Sequence, residues 1–283
     1  MQIVDNKAVL LRLRHPAKVT TVIPRSQALP NNQVIVKWGI DEAHVLKNLN
    51  IKVPSPIEGK YTWTGKHTPF DHQKTTASFL TMHKRAFCFN EQGTGKTASA
   101  IWASDYLLNA KVISRVLVIC PLSIMDSAWR NDLFTFAMHR RVGVAYGSKK
   151  KRTEVIESDA EYVVINYDGV NIIEEVIAKG GFDLIIVDEA THYKNAQTKR
   201  WKTLKRLMTS EPWLWMMTGT PAAQSPVDAF GLAKLVNPAA VPRFAGAFRD
   251  RVMTKVTNFR WVPKPDATET VYQVLQPAIR YTK

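Results

Sequence analysis

Five short, predominantly apolar runs recur along this chain, at 86–89, 116–120, 162–165, 183–187 and 213–217. A run that is apolar at nearly every residue, rather than at every second one, reads as a strand covered on both faces. Between the runs lie stretches such as 96–109, 123–136 and 197–208, with the length and amphipathic spacing of crossover helices. Residues 59–283 are therefore expected to form an α/β unit, a parallel sheet flanked by helices. In such sheets ligands bind at the carboxyl ends of the strands.

Residues 1–58 follow a different pattern. Segments 9–14 and 18–23 look like two strands joined at His15-Pro16, and 33–38 alternates, with Val34, Val36 and Trp38 on one face. A short helix over 41–49 precedes the punctuation Pro54-Ser55-Pro56. We expect a small α+β accessory domain here, either touching DNA or protecting a sheet edge.

The strand at 86–89 runs into N-E-Q-G-T-G-K-T and then an Ala-rich helix. Strand, glycine-rich loop and helix are the context of the Walker pattern G-x-x-x-x-G-K-[ST]. Gly93 and Gly95 let the backbone curl so that successive N–H groups face phosphate oxygens, and the helix N-terminus adds partial positive charge. The expected nucleotide contacts are Gln92, Gly93, Thr94, Gly95, Lys96 and Thr97. Lys96 reaches the β- and γ-phosphates, and the Thr97 hydroxyl ligates Mg²⁺. The first position is Asn90 rather than Gly.

Two acidic motifs compete for the second half of such a site. D-E-A-H is complete at 41–44, whereas 188–191 reads D-E-A-T. The complete copy precedes the phosphate loop and follows an alternating strand containing Lys37, as at a half-exposed sheet edge. Asp188 instead ends the buried run D-L-I-I-V. We assign Asp188 to the metal and Glu189 to polarising the attacking water, and read 41–44 as a helix start with Asp41 near the N-cap.

Taken in order, these motifs resemble the first RecA-like lobe of superfamily 2 helicases, and within them the Swi/Snf-like branch. N-E-Q-G-T-G-K-T is similar to that branch's D-E-M-G-L-G-K-T, and V-L-V-I-C-P-L-S-I-M-D-S-A-W-R-N-D-L to its motif Ia. V-D-E-A-T-H-Y-K-N is similar to V-D-E-A-H-R-I-K-N, with Thr191 in place of the histidine. M-T-G-T-P-A-A-Q-S is similar to its motif III, F-D-H-Q to the segment whose Gln reads adenine, and V-L-Q-P-A-I-R-Y-T-K to the helix that ends the lobe. The resemblance runs from about Phe70 to Lys283.

It implies a P-loop NTPase fold, ATP and Mg²⁺ as cofactors, and DNA as partner, duplex favoured and single strands allowed. It also implies that Gln73 bonds the adenine edge. Thr218, Gly219 and Thr220 couple the γ-phosphate to the DNA-facing surface. Pro121, Ser123 and Trp129 belong to motif Ia, with Trp129 equally a core candidate, and Tyr167 packs near the tracking strand. The net charge of +15 fits a polyanionic partner. The run Lys149-Lys150-Lys151-Arg152 and the lysines of 197–208 read as solvated surface.

The family motor has two such lobes, and no second set of motifs follows. The expectation is a piece of a longer motor chain, binding nucleotide but hydrolysing it slowly, its partner lobe on the same polypeptide. Alternatives are the motor part of a restriction or repair complex, or a non-hydrolysing adaptor. Cys88 and Cys120 lie in apolar runs and read as buried free thiols of a reducing compartment. No stretch approaches the roughly 20 apolar residues of a membrane span. A bacterial or phage cytoplasm is the expected setting, or a nucleus if the source is eukaryotic.

Overall fold

The apolar runs become inner strands because both of their faces are covered. The computed structural model describes residues 1–222, 224–257 and 260–283. Its N-terminal sheet is antiparallel, with β1 (Gln2–Val4), β2 (Ala8–Arg12), β3 (Gln27–Leu29) and β4 (Gln33–Lys37) in the order β1-β2-β4-β3. Helices α1 (Ala17–Val22) and α2 (Ile40–Asn48) accompany it. Val9, Leu11, Val19, Ile23, Val34, Val36, Trp38 and Leu46 form a core of their own. Helix α3 (Ile57–Lys60) leads into the larger unit, to whose core Ile57 belongs.

Two expectations fail in this region. Residues 18–22 are helical rather than extended, with Ile23 at the C-cap. Pro16, at the N-cap with φ −55°, is preset for a helix start, and Val19 and Ile23 meet the core at i, i+4 spacing. The β-branched run is accommodated because the Thr21 hydroxyl donates to Ala17 O at 2.8 Å. The strand before Asp41 is also not an edge: β4 pairs with both β2 and β3, and its alternation reflects one covered face.

The second unit is built on β5 (Arg85–Cys88), β6 (Val116–Cys120), β7 (Val142–Ala145), β8 (Tyr162–Asn166), β9 (Leu184–Asp188) and β10 (Trp213–Met217). A two-stranded ribbon, β11 (Met253–Lys255) with β12 (Trp261–Pro263), follows, and β13 (Ala278–Ile279) returns to the main sheet. The order is β13-β5-β10-β9-β6-β8-β7, and every neighbouring pair is parallel. Side chains of one strand alternate between two cores. Ala86 and Cys88 face α4 (Asp71–Thr81), α5 (Lys96–Asn109) and α6 (Asn131–Phe136). Phe87 faces the other layer, α7 (Lys149–Glu157), α8 (Tyr167–Ile172), α9 (Glu174–Lys179), α10 (Lys199–Leu207), α11 (Ala229–Val236), α12 (Ala245–Val252) and α13 (Ala267–Val274). Both faces being dry, the strands read as unbroken apolar runs.

Three further segments depart from their reading. The stretch V-L-Q-P-A-I-R-Y-T-K does not end in a helix. α13 stops at Val274, Pro277 offers no N–H to continue it, and the segment becomes the sheet-edge strand β13. Phe87 N and Phe89 N then donate to Pro277 O and Ile279 O. Lys149, Lys150 and Lys151 are exposed, as a solvated surface would be, but the run opens α7 rather than lying in a loop. Arg152 is buried, and its guanidinium donates to Ala145 O, Gly147 O and Asn166 Oδ1 at 2.6, 3.0 and 2.9 Å. Finally, 122–136 is helical in three pieces, a 3₁₀ turn, a π-helical turn over Met125–Arg130, and α6. Among the described residues no helix is long and apolar enough to cross a membrane. Cys88 and Cys120 are buried and free, and burial pushes the Cys88 thiol up to about 11.

Candidate functional site

All six strands from β5 to β10 are parallel, so their carboxyl ends share one edge, and the predicted residues gather there. β5 runs into a loop whose Gly93 and Gly95 take φ +75° and +77°, and α5 begins at Lys96. That left-handed backbone turns the N–H groups of the loop inward, the geometry of an anion-binding nest. Gly95 is required twice: a Cβ there would also lie 2.0 Å from Gln73 Nε2. The Lys96 ammonium folds back on its own loop, donating to Asn90 O at 2.7 Å and Glu91 O at 3.0 Å. Gln92 and Gly93 are exposed, Thr94 is buried, and the Thr97 hydroxyl has no partner among the described residues.

Helix α4 is laced to this loop. Gln73 accepts from Phe70 N at 3.0 Å and donates from Nε2 to Thr94 O at 3.2 Å. His72 Nε2 lies 2.9 Å from the same carbonyl, and Asn90 Nδ2 donates to Thr76 Oγ1 at 2.8 Å. Asn90 Oδ1 is buried without a partner among the described residues, a cost tolerated where a loop must be held open to a ligand. Beside the loop the rings of Phe70, His72 and Tyr281 stack, with His72 and Tyr281 4.2 Å apart at 12°.

The acidic half lies two strands away, across β10. Asp188 is the last residue of β9, and Glu189 turns the chain with φ +51°. Asp188 Oδ1 accepts from Glu189 N at 2.9 Å, and Oδ2 from Trp129 Nε1 at 2.8 Å. Tyr167 OH donates to the Asp188 carbonyl at 2.6 Å. Glu189 Oε1 accepts from the hydroxyls of Thr191 and Thr218, both at 2.9 Å. Thr218 in turn is tied to β5, its N–H donating to Cys88 O at 3.0 Å. Gly219 packs on the phosphate loop, where a Cβ would have Asn90 O and Gln92 N at 3.7 Å, and Thr220 is exposed. Burial pushes the Asp188 pKa up, opposed by the Trp129 and Glu189 N–H groups and the charge of Lys96. The Asp188 carboxylate and the Thr97 hydroxyl are hard oxygen donors, of the kind that suits Mg²⁺.

The structure therefore brings together Gln73, the 92–97 loop, Asp188, Glu189 and Thr218. It does not place Tyr167 on a polynucleotide-facing surface. At 6% exposure the ring is internal, because its hydroxyl is needed beneath the Asp188 carbonyl. Trp129 is fully buried for the corresponding reason, so of the motif Ia candidates only Pro121 and Ser123 reach solvent, beside an exposed Leu122. Ala223, within the stretch M-T-G-T-P-A-A-Q-S, lies outside the described residues. The reading of the residues missed Asn90 and His72 as loop partners, Tyr281 as a stacking ring, and Thr191 as a Glu189 donor. Only Thr191 carried a signal, since it fills the place of a polar residue directly after the acidic pair.

The model of the SNF2-related domain matches residues 72–282. Uncharacterized ATP-dependent helicase MG018 of Mycoplasma genitalium is 27% identical over 159 residues, covering 56% of this chain and 15% of its own length. The SWI/SNF-related matrix-associated actin-dependent regulator of chromatin subfamily A-like protein 1 homolog of Caenorhabditis elegans is 25% identical over 170 residues, covering 59% and 24%. The Sulfolobus solfataricus SWI2/SNF2 ATPase core, solved in complex with dsDNA, superposes with a TM-score of 0.65 at 24% identity, covering 78% of this chain and 46% of that one. The chain thus spans less than a quarter of these two relatives and under half of the solved core.

Proposed function

The chain belongs to the SNF2-related family, and from that premise we propose that it is the ATP-binding lobe of a DNA-dependent motor, a helicase or translocase. The observation that carries this reading is the placement of the 92–97 loop and the Asp188-Glu189 pair at the ends of β5 and β9, joined through Thr218 just past the end of β10. ATP phosphates would enter the loop, and Lys96 would exchange two backbone carbonyls for phosphate oxygens. The stacked His72 and Tyr281 rings, with Gln73, line the base end. Thr97 and Asp188 would hold Mg²⁺, which when bound supplies neutralising charge to the phosphate oxygens. Glu189 Oε1 is occupied by two hydroxyls, so Oε2 is the oxygen left to take the proton of an attacking water. That water bonds to the γ-phosphorus, the bond to the bridging oxygen breaks, and ADP leaves with the electron pair.

Half-buried Pro121 and exposed Ser123 lie on the same edge, and with the net charge of +15 they support a polynucleotide running across that edge. The solved relative was captured with dsDNA, which favours duplex as the track. A second lobe on a longer polypeptide would close over the nucleotide, and residues 1–58 would serve as an accessory domain. ATP turnover by the full-length polypeptide, measured without DNA and with single-stranded, duplex and branched DNA, tests this. Stimulation by DNA, strongest with duplex, is expected. Turnover indifferent to every DNA would overturn the motor reading.

A further inference from the structure

Trp129 is the largest buried side chain whose polar atom is spent on the site. Its ring is wholly inside, packed with Met125, Leu133 and the strands of the α4–α6 face. A buried indole N–H needs an acceptor, and most buried indoles here find a backbone carbonyl: Trp102 uses Thr64 O and Trp215 uses His83 O. Trp129 instead uses the carboxylate of Asp188. The bond fixes one oxygen while the adjacent N–H of Glu189 fixes the other, so the plane of the carboxylate is set from two directions.

The route to that bond is unusual. Residues 122–124 leave the end of β6 as a 3₁₀ turn on the exposed edge, and 125–130 are wound as a π-helical turn before α6 begins. Each extra residue in a turn rotates those after it by about 100° relative to an α-helix. The direction of the indole therefore depends on that wide turn, in which Met125 is buried while Asp126 and Ser127 face solvent. Wide turns of this kind concentrate at functional sites.

We infer that Trp129 is a positioning residue that orients the Asp188 carboxylate toward the metal, and that it transmits occupancy of the exposed pair Leu122-Ser123 to the nucleotide site. This rests on the reading of Asp188 as a metal ligand. A polynucleotide pressing on Leu122 and Ser123 displaces the π turn, the turn moves the indole, and the indole turns the carboxylate.

The experiment compares this chain with W129F, which keeps most of the ring volume and removes the N–H. A fluorescent ATP analogue is titrated in EDTA and then across Mg²⁺ concentrations, and the indole ¹⁵N–¹H resonance absent from W129F is followed in the parent. The account expects unchanged metal-free affinity, a Mg²⁺ requirement raised about ten-fold as for other residues that support a metal ligand, and an indole resonance that shifts with Mg²⁺ and nucleotide and again with a short duplex. An unchanged Mg²⁺ requirement in folded W129F overturns the inference. If W129F does not fold, a parent indole resonance that ignores both additions overturns it instead. A parent chain that binds no nucleotide defeats the nucleotide-site reading itself, a separate outcome.

Discussion

Asp41-Glu42-Ala43-His44 and Asp188-Glu189-Ala190-Thr191 share three letters, and the molecule uses them for opposite purposes. The first copy opens α2, with Gly39 at the N-cap and Asp41 exposed in the first turn, where a carboxylate favours the helix dipole. Glu42 pairs loosely with Lys37 at 3.9 Å, while His44 Nε2 reaches Thr81 O at 2.8 Å and its ring rests 5.6 Å from that of Trp213. Trp213 is the first residue of β10, so this copy clasps the amino edge of the sheet. The second copy ends β9 at the carboxyl edge, a strand length of about 13 Å away. There the carboxylates are half-buried, held by an indole and two hydroxyls, and faced by Lys96. The position of the strand that carries it, not the spelling, decides what surrounds an acidic pair.

The contrast is sharpened first by charge removal at constant shape. Replacing Glu189→Gln in the full-length polypeptide should lower DNA-stimulated ATP turnover by about 10²–10⁴-fold, the range of a lost general base. Glu42→Gln should leave turnover where it was. Steady-state ATPase assays check both, and equal losses would erase the distinction between the copies.

A smaller effect is expected on stability. His44→Ala strands the Thr81 carbonyl on a part-buried surface, which should cost about 1–2 kcal/mol in urea unfolding without altering nucleotide affinity. An affinity change matching that of a phosphate-loop variant would place the first copy in the site after all.

The smallest effect is in acid. Burial holds His44 below its usual pKa and His83 at about 4, in each case against a bond to a helix carbonyl, Thr81 O and Phe79 O. The unfolded chain then binds protons that the folded one refuses between roughly pH 6.5 and 4. Stability contributed by these neutral rings is whole above pH 6.5 and is lost as the pH falls through that window. Unfolding midpoints should decline from about pH 7 to about pH 5, and His83→Gln should flatten part of the decline.

What could be read without the structure divides along the same line. The phosphate loop is legible because its chemistry is local: Gly93, Gly95, Lys96 and Thr97 act within one turn of each other, and the apolar strand ahead of them marks the carboxyl edge. The position of Asp188 at the end of a central strand is legible for the same reason, from D-L-I-I-V. The residues that hold Asp188 are not, since Trp129 lies 59 positions away and Tyr167 21, and an aromatic in a helix is indistinguishable from core until the fold closes. The N-terminal helix α1 was hidden by β-branched residues that favour strands, overridden by Pro16 and by the i, i+4 spacing of Val19 and Ile23. β13 was hidden because two residues carry no periodicity at all.

The phosphate loop and the second acidic pair are proposed to form one metal-nucleotide site. Titrating a fluorescent ATP analogue into the chain, its Asp188→Asn variant and its Asp41→Asn variant, each with and without Mg²⁺, tests it most directly. The account predicts that Mg²⁺ tightens binding in the parent and in Asp41→Asn but not in Asp188→Asn. Tightening that survives in Asp188→Asn and disappears in Asp41→Asn would contradict it.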